Sequence, residues 1–146
     1  MMSGFGKDTG QTMSETVRSA AEESLPHILI AEDDILCRLS LAVPLSSEYT
    51  VLQAENGYEA TILFGQYRAC IAAVITDIRM PLMNGYEFIG WLRAQGSEIP
   101  VIVVSSMPDD DIRESLTGMP DVLRYPKPCD SRGIRAVLRQ MIGKQA

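Results

Sequence analysis

Three apolar runs in this chain stop at side chains suited to handling a metal-bound phosphoryl group. His27–Ala31 ends at Glu32-Asp33-Asp34, Ile71–Thr76 ends at Asp77, and Pro100–Val104 ends at Ser105-Ser106. A fourth short segment delivers Lys127, followed by Pro128. A carboxylate is a competent nucleophile toward phosphorus and yields an acyl phosphate. Two further carboxylates beside it repel each other and any incoming phosphate, so the set calls for a divalent cation. Mg²⁺ suits it, because Mg²⁺ takes octahedral oxygen ligands from a few protein groups and completes its shell with water and phosphate. Positioning and charge stabilisation then do most of the catalysis, with Lys127 as a compact point charge against the equatorial oxygens.

Each fragment also has a plainer use. Glu32, Asp33 and Asp34 would serve as a polar loop with a helix cap. Asp77 would serve as a strand end before a turn shaped by Met80, Pro81 and Gly85. Ser105 would terminate a strand, and Lys127 would be a solvated surface charge. The chemical reading rests on their joint occurrence at successive strand ends. In a parallel α/β sheet those ends converge on one crevice, where ligands bind.

The elements that must position these residues alternate strand and helix from Pro26 onward. Strands are expected at His27–Ala31, Thr50–Ala54, Ala72–Thr76, Val101–Val104 and Val122–Tyr125 as short, buried-type runs. Asp33 or Asp34 can cap the first helix, whose apolar face reads as Ile35, Leu36, Leu39 and Val43, with Pro44 stopping or kinking it. Asn56-Gly57 turns into a second helix ending near Tyr67. Gly85–Gln95 predicts a third helix that buries Phe88, Ile89 and Leu92 and closes at Gly96. Asp109–Thr117 reads as a short helix with acidic residues in its first turn, and Ser131–Ile142 as a final helix with Ile134, Val137, Leu138 and Met141 inward. Five such units imply a doubly wound parallel sheet with helices on both faces, a three-layer α/β/α fold.

With 146 residues the chain has enough length for one core. Residues 1–25, rich in Gly, Ser, Thr, Gln and Glu, read as a flexible tail, and 26–146 as the folded domain. A net charge of −6 argues against direct nucleic-acid binding, which needs clustered Lys and Arg. No apolar stretch is long enough for membrane insertion, and no secretory signal is visible. Cys37, Cys70 and Cys129 are odd in number and far apart, which favours reduced thiols in a cytoplasmic protein.

At this point the residues match a family. Ile-Leu-Ile-Ala-Glu-Asp-Asp, Asp77 opening Asp-Ile-Arg-Met-Pro-Leu-Met-Asn-Gly, Val-Ile-Val-Val-Ser and Lys127-Pro128 resemble the receiver domain of bacterial two-component response regulators, over about Pro26 to Ile142. The resemblance implies the flavodoxin-like strand order 2-1-3-4-5. It implies that Asp77 accepts a phosphoryl group from the phosphohistidine of a histidine kinase or phosphotransfer protein. By the same resemblance Asp33 holds Mg²⁺ directly and Glu32 through water, and the Arg79 backbone carbonyl is a further ligand. Ser105 matches the switch hydroxyl and Lys127 the phosphoryl-pairing lysine, in a peptide that is often cis in the family.

The sequence departs from the family near the fifth strand. Arg124 stands where the family usually has an aromatic residue that swings on phosphorylation. Tyr125 sits one position later, on the opposite side of a strand, and the reading preferred here is that the aromatic switch is absent. Arg79 and Met107 are expected to flank the phosphoryl group and slow autodephosphorylation. Arg132, Arg135, Arg139 and Lys144 form a basic stripe which, with Asp109–Asp111, suggests a homodimer through the last two helices. No output domain follows the last helix, so a downstream protein effector is expected to read the signal. A receiver module cut from a larger response regulator or hybrid histidine kinase is the alternative. A haloacid-dehalogenase-type aspartate phosphatase uses similar carboxylates, but it normally carries Asp-x-Asp where this chain has Glu-Asp-Asp.

Overall fold

A computed structural model describes residues 25–106, 121–128 and 130–143. Residues 1–24 of the expected tail, the helix at Asp109–Thr117, Met107, Cys129 and Lys144 lie outside the described residues. Five strands are described, β1 (His27–Ala31), β2 (Thr50–Ala54), β3 (Ile71–Thr76), β4 (Val101–Ser105) and β5 (Val122–Pro126). The described helices are α1 (Ile35–Leu45), α2 (Gly57–Tyr67), α3 (Gly85–Ala94) and α4 (Ser131–Gly143). The strands form one parallel sheet in the order β2-β1-β3-β4-β5, as the resemblance implied.

Strand alternation divides the core into two layers. Leu29, Ala31, Val74, Val101 and Val103 face one side and pack with Phe64 of α2 and Phe88, Ile89 and Leu92 of α3. Ile28, Ile30, Ala73, Ile75, Ile102 and Val104 face the other and pack with Leu41, Ala42 and Leu45 of α1 and Ile134 and Leu138 of α4. Covered on both faces, β1, β3 and β4 need continuous apolar sequence, which explains why they read as uninterrupted runs. Burying each Val, Leu or Ile side chain contributes about 1.5–3 kcal/mol, so these three strands are the main thermodynamic anchor of the site.

Helix α1 is turned differently from the sequence expectation. Ile35, Leu36, Leu39 and Val43, assigned above to the core, are exposed, whereas Arg38, Leu41, Ala42 and Leu45 are buried. The buried set has the i, i+3, i+4, i+7 spacing of a helix face. Apolarity alone points to the wrong face here, because an arginine stands first in the periodic set. Asp34 proves to be the cap: its Oδ1 accepts from the Leu36 and Cys37 amides at 2.9 and 3.0 Å. Pro44 is tolerated one residue before the helix ends. The Asn84 side chain and Glu87 form a reciprocal capping box at the start of α3, and Gly96, at φ +82, follows its end.

Candidate functional site

The site is assembled at the carboxyl edge of the sheet. Ala31 of β1 pairs with both Ala54 and Thr76, so the next residues along β1 and β3, Glu32 and Asp77, emerge side by side. The Glu32 amide donates to the Ala54 carbonyl at 3.0 Å and the Asp77 amide to the Ala31 carbonyl at 2.9 Å, which fixes both backbones. Ser105 closes β4 opposite Pro126, and the Lys127 amide donates to the Ser105 carbonyl at 3.0 Å. Residues 32, 77, 105 and 127 are thereby brought to one place by four separate strands. The Lys127–Pro128 peptide is cis.

The side chains of Glu32, Asp77 and Lys127 meet. Lys127 Nζ donates to Glu32 Oε1 at 2.8 Å and to Asp77 Oδ2 at 3.0 Å. Glu32 Oε2 accepts from the Asp34 amide at 3.1 Å, and Asp77 Oδ1 from the Ile78 amide at 2.7 Å. Glu32, Asp77 and Ser105 are buried, while Asp33 is exposed at the rim. One carboxylate oxygen from each of Glu32, Asp33 and Asp77 lies within 4.8 Å of the others. Hard, charged oxygens in such a cluster fit Mg²⁺ and do not fit thiolate- or imidazole-seeking metals. Arg79 is exposed and, with Asp33, Ile78, Met80, Asn84 and Tyr86, lines an open cleft of about 540 Å³ beside the cluster.

The charges here do not balance. Among the described residues, three carboxylates gather beside one ammonium, Lys127, which bonds two of them. Burial pushes the Glu32 carboxyl above its ordinary range, and although hydrogen bonds from Lys127 and the Asp34 amide oppose this, the Asp77 charge adds to it. Burial alone would depress the Lys127 ammonium, but its hydrogen bonds and charge contacts with Glu32 and Asp77 outweigh that and hold it above the usual lysine value. Lys127 is therefore a fixed positive charge at neutral pH, and the cluster retains an excess of negative charge that a divalent cation would neutralise.

The loop from Ile78 to Asn84 is held by close backbone approaches. The Gly85 amide donates to the Ile78 carbonyl at 2.8 Å, and a Cβ on Gly85 would collide with the Asp77 carbonyl. The Gly57 amide donates to the Met83 carbonyl at 2.9 Å, and a Cβ there would collide with Met83. The Gly85 contact closes the turn that follows Asp77, whereas the Gly57 contact is not recoverable from local sequence, since it joins segments that only the fold brings together.

Tyr125 faces α4. It packs with the Ile134–Leu138 layer, and a Cβ on Gly133 would collide with its hydroxyl. Val122, three residues earlier on β5, packs with the opposite layer. Strand alternation therefore puts Arg124 on that opposite side. Of the basic stripe, Arg139 and Arg135 are engaged within the chain, against Glu48. One contributor escaped sequence reading altogether: Arg38 of α1, buried beneath the Glu32–Asp34 loop.

Residues 28–139 match the response regulator receiver domain family. Among curated relatives, response regulator MprA of Mycobacterium sp. (strain KMS) is 34% identical over 93 residues, which are 63% of this chain and 39% of that protein. Sensor kinase CckA of Brucella abortus is 28% identical over 119 residues, 81% of this chain and 13% of that protein. The chain thus spans well under half the length of these relatives. Among solved structures, the N-terminal domain of an uncharacterized protein from Wolinella succinogenes superposes with a TM-score of 0.76 at 30% identity, covering 84% of this chain and 97% of that one. The strand order, the acidic cluster at the carboxyl edge and the extent of these matches agree: the chain belongs to the receiver domain family of two-component response regulators.

Proposed function

We propose that this receiver accepts a phosphoryl group on Asp77 from the phosphohistidine of a histidine kinase or phosphotransfer protein and thereby changes a surface read by a downstream protein effector. The observation that carries this reading is the Asp77 carboxylate held 3.0 Å from Lys127 with Glu32 and Asp33 oxygens within 4.8 Å. In the transfer, an Asp77 oxygen forms the new bond to phosphorus while the bond from phosphorus to the imidazole nitrogen breaks, and the electron pair stays on that nitrogen. Lys127, already bonded to Asp77, is placed to meet a non-bridging oxygen of the arriving group. Asp33, Asp77 and the Arg79 carbonyl would hold Mg²⁺ directly and Glu32 through water. Bound there, Mg²⁺ supplies charge neutralisation for the carboxylates and the phosphoryl oxygens.

Phosphorylation adds about −1.5 to −2 charges and three acceptor oxygens. Ser105, at the end of β4, is the hydroxyl assigned to one of them, a local event able to bias a two-state loop. Tyr125 is packed against Gly133, which supports a switch without the usual aromatic swing. Arg79, lining the cleft, and Met107 are assigned to slowing water attack on the phosphoryl group. The exposed apolar side chains Ile35, Leu36, Leu39 and Val43 follow directly on the acidic loop and give a protein phosphodonor a surface to dock beside the pocket. No described helix is long and apolar enough to cross a membrane. We assign the chain cytoplasmic signalling, with no turnover beyond its own phosphorylation and dephosphorylation.

Likeness to a sensor kinase over 81% of this chain favours, as a second reading, a module of a larger regulator or hybrid kinase. The deciding experiment for the chemistry is intact mass after incubation with Mg²⁺ and acetyl phosphate, beside Asp77→Asn. A Mg²⁺-dependent phosphoryl adduct that the variant loses is expected. Absence of the adduct, with no response to beryllofluoride, would leave a phosphate-independent interaction module. Sustained turnover of a phosphate ester would instead revive the phosphatase alternative.

A further inference from the structure

Arg38 sits in the middle of the buried face of α1, only 8% exposed, where helical period and core packing call for an aliphatic side chain. Taking a guanidinium out of water is costly unless hydrogen bonds meet its donors, and an aliphatic side chain would fill the same space without that cost. Packing therefore does not account for an arginine at this position. Its contacts do. Nη1 donates to the Glu32 backbone carbonyl at 2.7 Å and Nε to Gln53 Oε1 on β2 at 3.0 Å. The guanidinium is a planar fork that meets two acceptors in fixed directions, which a lysine cannot reproduce.

The accepting carbonyl belongs to the peptide that joins Glu32 to Asp33. That unit is planar, so fixing its carbonyl fixes the plane from whose two ends the Glu32 and Asp33 side chains depart. Glu32 has ties of its own, to Lys127 and the Asp34 amide. Asp33 stands exposed at the rim, and its direction depends on the backbone that carries it.

We propose that Arg38 is a positioning residue for Mg²⁺: anchored on Gln53, it holds the Glu32–Asp33 peptide so that both carboxylates are presented to the ion. This rests on the receiver reading of the site. Partners that orient metal ligands from outside the coordination sphere typically change affinity by 10–100-fold when removed.

The test uses the full chain and Mg²⁺ alone, followed by shifts of the backbone amide resonances of residues 32–34 and 77–79. Arg38→Met is expected to bind Mg²⁺ about tenfold more weakly, measured at a temperature where its metal-free thermal midpoint shows the fold still fully populated. Arg38→Lys should recover part of the affinity, because an ammonium can reach one of the two acceptors. Unchanged affinity in Arg38→Met overturns the proposal, as does a loss that merely tracks a falling thermal midpoint. Should Arg38→Met fail to fold, Gln53→Ala, at an exposed strand position, carries the test: weaker Mg²⁺ binding is expected, and wild-type affinity overturns the proposal. Wild-type protein that binds no Mg²⁺ would overturn the receiver reading itself, a result distinct from any variant's.

Discussion

Two ion clusters tie the carboxyl-terminal part of this chain to its first βα unit, and they are built on opposite balances. At the carboxyl edge of the sheet, Lys127 bridges Glu32 and Asp77, with Asp33 beside them, so that acids outnumber the cation. Below α1, Glu48 accepts from Arg139 at 3.2 and 2.5 Å and lies 3.4 Å from Arg135, so that cations outnumber the acid. The first cluster is largely buried and its carboxylates strain against one another. The second is open to solvent, screened by salt, and asks for nothing more. An ion pair that merely fastens helices needs neither burial nor a charge surplus. A surplus of buried negative charge makes sense where a cation is to be received.

That contrast is sharpest in the response to metal. Mg²⁺ should stabilise the protein by mass action, by about 2.7 kcal/mol at a hundredfold excess over Kd, read as a rise in thermal midpoint that Asp33→Ala largely removes. Glu32 sets its pH dependence. The carboxyl is raised above its ordinary 4.5, so protons compete with metal at higher pH than for a free glutamate, and the Mg²⁺ effect fades as pH falls through the raised value. Without metal the sign reverses. The folded state then holds the Glu32 proton more tightly than the unfolded one. That contribution is complete below 4.5 and is lost as pH rises through the folded value. No metal dependence at all would erase the distinction between the clusters.

A smaller effect is expected from Lys127→Met. It leaves Glu32 and Asp77 facing each other without their cation, at a cost of about 1–2 kcal/mol after discounting for partial exposure. Chemical denaturation should show the deficit shrinking when Mg²⁺ is added, because the ion replaces the missing charge. A deficit that Mg²⁺ leaves untouched would make Lys127 a structural clamp like its counterpart below α1.

The smallest effect belongs to Glu48. Its hydrogen bond from Arg139 holds the carboxyl below the ordinary 4.5. The pair's contribution is present above that value and is lost as pH falls through the folded one. Glu48→Gln should therefore flatten the acid limb of a stability–pH curve, measured at low salt, and should not alter the Mg²⁺ response. A changed Mg²⁺ affinity in this variant would show the two clusters to be coupled through α1.

The fold was legible wherever burial is two-sided. β1, β3 and β4 announce themselves as continuous apolar runs, and Asp34 and the Asn56-Gly57 turn mark helix starts through signals that depend on adjacent residues only. Glu32, Asp77, Ser105 and Lys127 were legible for a related reason: Ser105 ends a strand and the other three each follow directly on one, and parallel strands deliver their ends to one edge. The orientation of α1 was not. Its true face begins with Arg38, and whether an arginine points inward depends on acceptors from Glu32 and Gln53 that the sequence does not show to be nearby. Tyr125 was ambiguous for the same reason: which layer it packs with depends on Gly133 and its neighbours on α4.

By itself, then, the sequence determined the alternating elements, the parallel α/β class and the residues gathered at the carboxyl edge, because period, capping and strand ends are local properties. Tertiary structure alone decided how those residues meet: Lys127 bonded to two carboxylates, 95 and 50 positions away along the chain, the loop after β3 pinned by Gly57, and Arg38 beneath the acidic turn. Hydrogen bonds and collisions act through space over a few ångströms, and only the folded chain determines which distant residues come within that reach.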